Sequence, residues 1–147
     1  MTAVLYILMR NDLASMNAGK AMAQASHASN AFVQHFHAYA QKYNSTVVHE
    51  EIEISTMHGF NEWENSTQQG FGTVLVLEGR MNDVSPIVNI FKSMGYVAGV
   101  VHDPTYPLLD GEVVHHVPLD TCAYVFVPSK EKDEFANTLL KRFPLHI

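Results

Sequence analysis

The chain has 147 residues, 47% of them hydrophobic, with one cysteine and a formal charge of −6. That length and composition suit a single compact domain, residues 1–147, whose core stands without staples, and a lone cysteine excludes an intramolecular disulfide framework. Nine Lys and Arg against fifteen Asp and Glu exclude a broad basic surface for phosphate backbones, so any nucleic-acid contact has to be local.

The first apolar run, residues 3–9, is only strand-long and has no basic residue before it, and no stretch approaches the ~20 residues of a membrane span. The expectation is a cytoplasmic protein with no membrane partner. Because residues 3–9 are almost all apolar rather than alternating, they read as a central strand covered on both faces. A polar turn over residues 10–15 leads to a long helix over residues 17–43. On that helix Ala21, Ala25, Ala28, Phe32, Phe36, Tyr39 and Tyr43 recur at three- and four-residue steps. Lys20, Gln24, His27, Ala31 and His35 form the neighbouring stripe, so Lys20, Gln24 and His27 share one space.

Lys20 is out of place in a first helical turn, where a cation opposes the macrodipole at a cost of roughly 0.3–1 kcal/mol. A lysine beside free backbone N–H groups makes a place for an anion or a developing oxyanion. On spacing alone, a solvated lysine that tolerates the cost is the simpler reading. His27 reads either as ligand-facing or as a satisfied core histidine, with the core position favoured.

Residues 44–72 read as an irregular insertion, an extended lid or an extra strand and helix, with an alternating run at 47–54. Trp63 is expected to anchor it to the body, an exposed indole for base stacking being the alternative. From residue 73 the order is clear: strand 73–77, turn 78–80, helix 83–94 stopped by Gly95, and strand 96–102, a βαβ unit. Two prolines stiffen a turn over 103–107, residues 108–119 read as a loop or hairpin, and 122–127 as a fourth strand with Cys122 buried. A closing helix over 129–142 takes Ser129 as its cap.

Two strand ends carry polar residues able to converge, Arg10-Asn11-Asp12 leading to Lys20, and His102-Asp103-Pro104-Thr105. A carboxylate near a lysine holds it charged, or serves as a base toward water. Thr121, entering the fourth strand, adds a hydroxyl able to bind substrate. A metal site is not expected: there is no His-Glu-x-x-His, and His35/His37 and His115/His116 point to different sides of their elements. A nucleophile elbow, a phosphate-binding glycine loop and a dinucleotide fingerprint are absent.

Tyr6-Ile-Leu-Met-Arg-Asn-Asp-Leu13, Gly19-Lys20-x-x-x-Gln24-x-x-His27-Ala28, Asp103 after the third strand and Pro118-Leu-Asp-Thr121 resemble the type-2 peptidyl-tRNA hydrolases. The resemblance spans nearly the whole chain outside residues 44–62. It implies a three-layer α/β/α sandwich with a four-stranded mixed sheet, often dimeric, that cleaves the ester joining a peptide to the ribose of tRNA, with no metal and no cofactor. It implies Lys20, Asp103 and Thr121 as catalytic residues and Asn17, Gln24, His27 and Thr105 as substrate-binding ones. Pro104-Thr105-Tyr106-Pro107 stands where the family has Ala and Gly after the aspartate, and residues 47–57 have no family counterpart. The alternative is a protein of the same fold that binds another small anion or a protein partner without cleaving tRNA esters.

Overall fold

The computed structural model describes residues 2–146. Strand β1 (Val4–Arg10) leads into the long helix α1 (Ala18–Asn44), then helix α2 (Glu51–Glu64), strand β2 (Thr73–Gly79), helix α3 (Met81–Ser93), strands β3 (Ala98–Asp110) and β4 (Val113–Val127), and the short helix α4 (Glu134–Leu140). The sheet order is β2-β1-β4-β3, with β1 parallel to β2 and β4 antiparallel to both its neighbours. The expected four-stranded mixed sheet is present.

Alternation along β1 divides the core in two. Leu5, Ile7 and Met9 pack with Ala21, Ala28, Phe32 and Phe36 of α1 and with Phe60 and Trp63 of α2. Val4, Tyr6 and Leu8 face the other way, against Val84, Val88 and Phe91 of α3 and Ala136 and Leu140 of α4. Successive strand side chains point to opposite faces, so an all-apolar strand must have cover on both, and helices supply it on each side. Helical residues thus pack against both sets of β1 side chains.

Four sequence expectations change. Residues 44–72 hold the helix of the second expectation but no strand: α2 fills fourteen of them, opened by a reciprocal capping box between Glu50 and Glu53, with turns and coil on either side. The Val47–Ile54 alternation misleads because the buried positions of α2 are Thr56, Gly59, Phe60 and Trp63, a helical spacing that begins only after it. At Gly59 a Cβ would collide with Pro128, so the glycine lets α2 seat against the chain leaving β4.

The crossover from β2 through α3 to β3 joins strands that run the same way, but they lie at opposite edges of the sheet with β1 and β4 between them. The turn expected over 103–107 is instead strand: β3 continues to Asp110, with register shifts at Val101/His102 and between Asp103 and Tyr106. Pro104 and Pro107 fit because β3 is an edge strand and the irregularity spares them a ladder donor. Residues 108–119 form the hairpin of the two readings, turning at Gly111 with φ 62°.

The closing helix is shorter than 129–142. A 3-10 turn over Lys130–Lys132 precedes it, and the cap is Asp133, whose side chain accepts from the Ala136 N–H at 2.8 Å, rather than Ser129.

Candidate active site at the carboxyl edge of the sheet

The polar residues singled out by spacing gather where β1 ends and α1 begins. Asn17 is the α1 N-cap, its side-chain oxygen accepting from the Lys20 backbone N–H at 2.9 Å. That bond fixes the first turn and leaves the Lys20 side chain pointing across to β3. There its Nζ donates to the Pro107 carbonyl at 2.9 Å and sits 5.2 Å from the centre of the Tyr106 ring. The carbonyl oxygen accepts from the ammonium and the aromatic face attracts it, and together they hold the side chain against β3.

One turn further along α1, the Gln24 amide joins two strands. Its nitrogen donates to Asp103 Oδ2 at 2.7 Å, and its oxygen accepts from the Thr121 hydroxyl at 2.6 Å. Both oxygens of Asp103 are engaged, because Oδ1 accepts from the Thr105 backbone N–H at 2.9 Å and from its hydroxyl at 3.3 Å. Gln24, Asp103 and Thr121 are all buried, at 2%, 8% and 0% exposure. A buried polar chain of this kind holds its members in one geometry, since breaking any link strands a donor or acceptor.

Burial alone would raise the Asp103 pKa, but the Gln24 amide and the Thr105 N–H and hydroxyl, with the nearby His27, outweigh it. The carboxyl group is held below its ordinary range. Asp103 is therefore an ionised hydrogen-bond acceptor at neutral pH. Cys122, whose Sγ donates to the Gln24 carbonyl at 3.5 Å, is a core thiol, pushed up to about 12 by burial.

The sequence stripe is thus resolved into separate positions. Lys20, Gln24, Asp103, Thr105 and Thr121 come together, with Asn17 fixing the helix start. His27 lies on the exposed side of α1 rather than in the core, as the helix turns it past the Gln24 contact. Asp103 does not hold Lys20 in an ion pair, as a lysine beside a carboxylate would suggest, because Gln24 and Thr105 take the carboxylate and Pro107 takes the lysine. The sequence reading missed Tyr106 and the Pro107 carbonyl. Tyr106 is fully buried and its hydroxyl lies 3.2 Å from Ser15 Oγ, tying the hairpin to the turn before α1. The signal was present as an aromatic between two prolines, but it reads as a turn until β3 is seen to continue.

Arg10, at the end of β1, bonds Asp12 at 2.7 Å and the Asp120 carbonyl at 2.8 Å, bracing the loop that carries Asn17. No group of three or more His, Cys, Asp and Glu able to hold a metal ion occurs among the described residues, and no described helix is long and apolar enough to cross a membrane.

Fold and site together define a mixed-sheet α/β protein with a lysine and a buried carboxylate at the carboxyl edge of its sheet. The family model for peptidyl-tRNA hydrolase PTH2 matches residues 3–107, and the chain belongs to that family, the type-2 peptidyl-tRNA hydrolases. The match contains Lys20, Gln24, Asp103 and Thr105 and stops before Thr121. A search of curated proteins found no match.

Proposed function

We propose that the chain hydrolyses the ester between the peptide and the tRNA ribose of peptidyl-tRNA, releasing free tRNA and peptide. The observation that carries this is the Gln24 bridge: it fixes an ionised Asp103 at the edge where Lys20 emerges from the first turn of α1. Family membership supports the substrate class.

In this reading Asp103 accepts a hydrogen bond from the attacking water and orients it toward the ester carbonyl. With its proton affinity lowered, it works mainly by orientation and by stabilising positive charge on the water as the new C–O bond forms, and the proton the water sheds passes to the ribose oxygen as the ester C–O bond breaks. Lys20 turns from the Pro107 carbonyl to the ester oxygen and stabilises the negative charge that develops there. Thr121 is a positioning residue, because its buried hydroxyl reaches the chemistry only through Gln24. Asn17, His27 and Thr105 border the substrate, Thr105 also holding the carboxylate. Lys20 supplies the positive charge, so the proposed reaction needs no metal or cofactor.

We include in the proposal a single-domain, cytoplasmic protein acting as a homodimer. Exposed Met22, Val74 and Leu145 offer apolar surface for a second copy. Deacylation of a defined peptidyl-tRNA by the purified protein in chelating buffer tests the activity. Release of free tRNA supports it, and no release by folded protein rejects it. Sedimentation of the same sample tests the dimer.

A further inference from the structure

A second feature of the carboxyl edge lies on the other side of the loop after β1. Asn11 donates its backbone N–H to the Gly79 carbonyl at 2.9 Å, joining that loop to the end of β2. Beside this junction is a cleft of about 500 Å³ between the start of α3 and the chain after α4. That volume suits a ligand of small-molecule size.

Its lining combines three chemistries. Arg80 and Arg142 are exposed guanidiniums, and neither takes part in an ion pair among the described residues. Pro86, Ile87 and Ile90 form an apolar wall, with Ile90 40% exposed. Glu78 and Asp83 add carboxylates, Glu78 being held by His146 at 3.1 Å. A bare anion would meet both carboxylates as well as both arginines and gain little. A nucleotide satisfies all three surfaces: its phosphate takes the forked guanidinium donors, its ribose hydroxyls donate to carboxylates, and its base covers the apolar wall.

We propose that this cleft binds one unpaired nucleotide of RNA, with the phosphate on Arg80 and Arg142, the ribose toward Asp83 and Glu78, and the base against Pro86, Ile87 and Ile90. Resting on the hydrolase reading, it gives that reading a separate place for an unpaired part of tRNA, on the α3 face of the sheet beside β2, while Lys20 reaches from the α1 face to β3 at the opposite edge. It also meets the requirement set by the net charge, that contact with nucleic acid be local.

The test is fluorescence anisotropy with a short unstructured oligoribonucleotide and its deoxy counterpart, titrated over a salt series. Wild type should bind the ribo form several-fold more tightly than the deoxy form. The double variant Arg80→Ala/Arg142→Ala should lose tenfold or more in affinity, and its salt slope should fall by about 0.7 for each phosphate contact removed. Asp83→Asn should narrow the preference for ribose. Circular dichroism of the variants, all altered at exposed side chains, checks that they fold. No binding by wild type at low salt, or equal affinity and slope in the double variant, overturns the cleft. If peptidyl-tRNA is cleaved while the double variant binds oligonucleotide like wild type, only the cleft fails. If oligonucleotide binding is lost in the variant but wild type leaves peptidyl-tRNA intact, the cleft stands and the hydrolase reading fails.

Discussion

The two ends of the sheet are built on different principles. Where β1 and β2 begin, α2 closes the molecule with aromatic rings: Phe60 stacks on Phe36 at 3.7 Å between centroids, and Trp63 meets Phe32 edge-on at 5.5 Å. The Trp63 indole N–H donates to the Thr73 carbonyl at 2.8 Å, pinning α2 to the first residue of β2. Where β1 ends, the contacts are hydrogen bonds through Gln24, and the side chains of Lys20 and His27 remain open to solvent to differing degrees. Charge does not follow that division: α2 carries Glu51, Glu53, Glu62 and Glu64 but shares a groove with Lys132, and at the other end Arg10, Lys20, Arg80 and Arg142 are accompanied by Asp12, Glu78, Asp83 and Asp103. The segment that reads in sequence as a lid packs its buried face into the core.

That division can be broken at either end. The largest stability loss should come from Trp63→Ala, which removes a 2%-exposed indole and its bond to Thr73 and should cost about 3–5 kcal/mol. Urea denaturation would show it as a lower midpoint. Activity per folded molecule should be kept, because Trp63 touches nothing at the Lys20 end. A folded Trp63→Ala protein that lost turnover would mean that the two ends are coupled.

Gln24→Leu attacks the other end and should cost roughly 1–3 kcal/mol by stranding the buried Thr121 hydroxyl and one Asp103 oxygen. It also carries a pH consequence. The folded-state pKa of Asp103 is lowered, so the stabilisation it gives is full above the unfolded value of about 3.9 and is lost as pH falls through the lower folded one. In wild type the Asp103 carboxyl should stay ionised throughout the neutral range. Gln24→Leu removes the first of the bonds that lower the pKa while leaving the burial that raises it. Carboxyl NMR titration should show the Asp103 midpoint moved upward, and an unmoved midpoint would show that Thr105 alone sets it.

The smallest effect belongs to Asn17→Ala, which removes the α1 cap and should cost about 1 kcal/mol. Because the same bond aims the Lys20 turn, thermal melting should shift slightly while turnover falls further than stability alone would require. Equal falls would reduce Asn17 to a cap.

Much of this was legible in the sequence because the signals were periodic. The uninterrupted apolar run of β1, the stripe on α1 and the strand, helix, strand order after residue 73 each follow from a repeat that burial imposes. The Lys20 and Gln24 juxtaposition followed from one helical turn, and the convergence of Asp103 and Thr121 came from the family resemblance. Other features depend on tertiary partners. The core of α2 starts only at Thr56, after a misleading alternation, and Gly59 has meaning only once Pro128 lies against it. The continuation of β3 through two prolines depends on its being an edge, and strand order is not written in any local pattern. The holders of Lys20, Tyr106 and the Pro107 carbonyl, were hidden for the same reason.

In the proposed reaction Lys20 acts in the transition state rather than in binding alone. The direct measurement is kcat and KM for peptidyl-tRNA with wild type and Lys20→Ala, alongside tRNA affinity. Loss of a group that stabilises a developing oxyanion should lower kcat by roughly 10²–10³-fold, with tRNA affinity changed far less. An unchanged kcat with a raised KM would contradict the assignment and make Lys20 a substrate-binding residue.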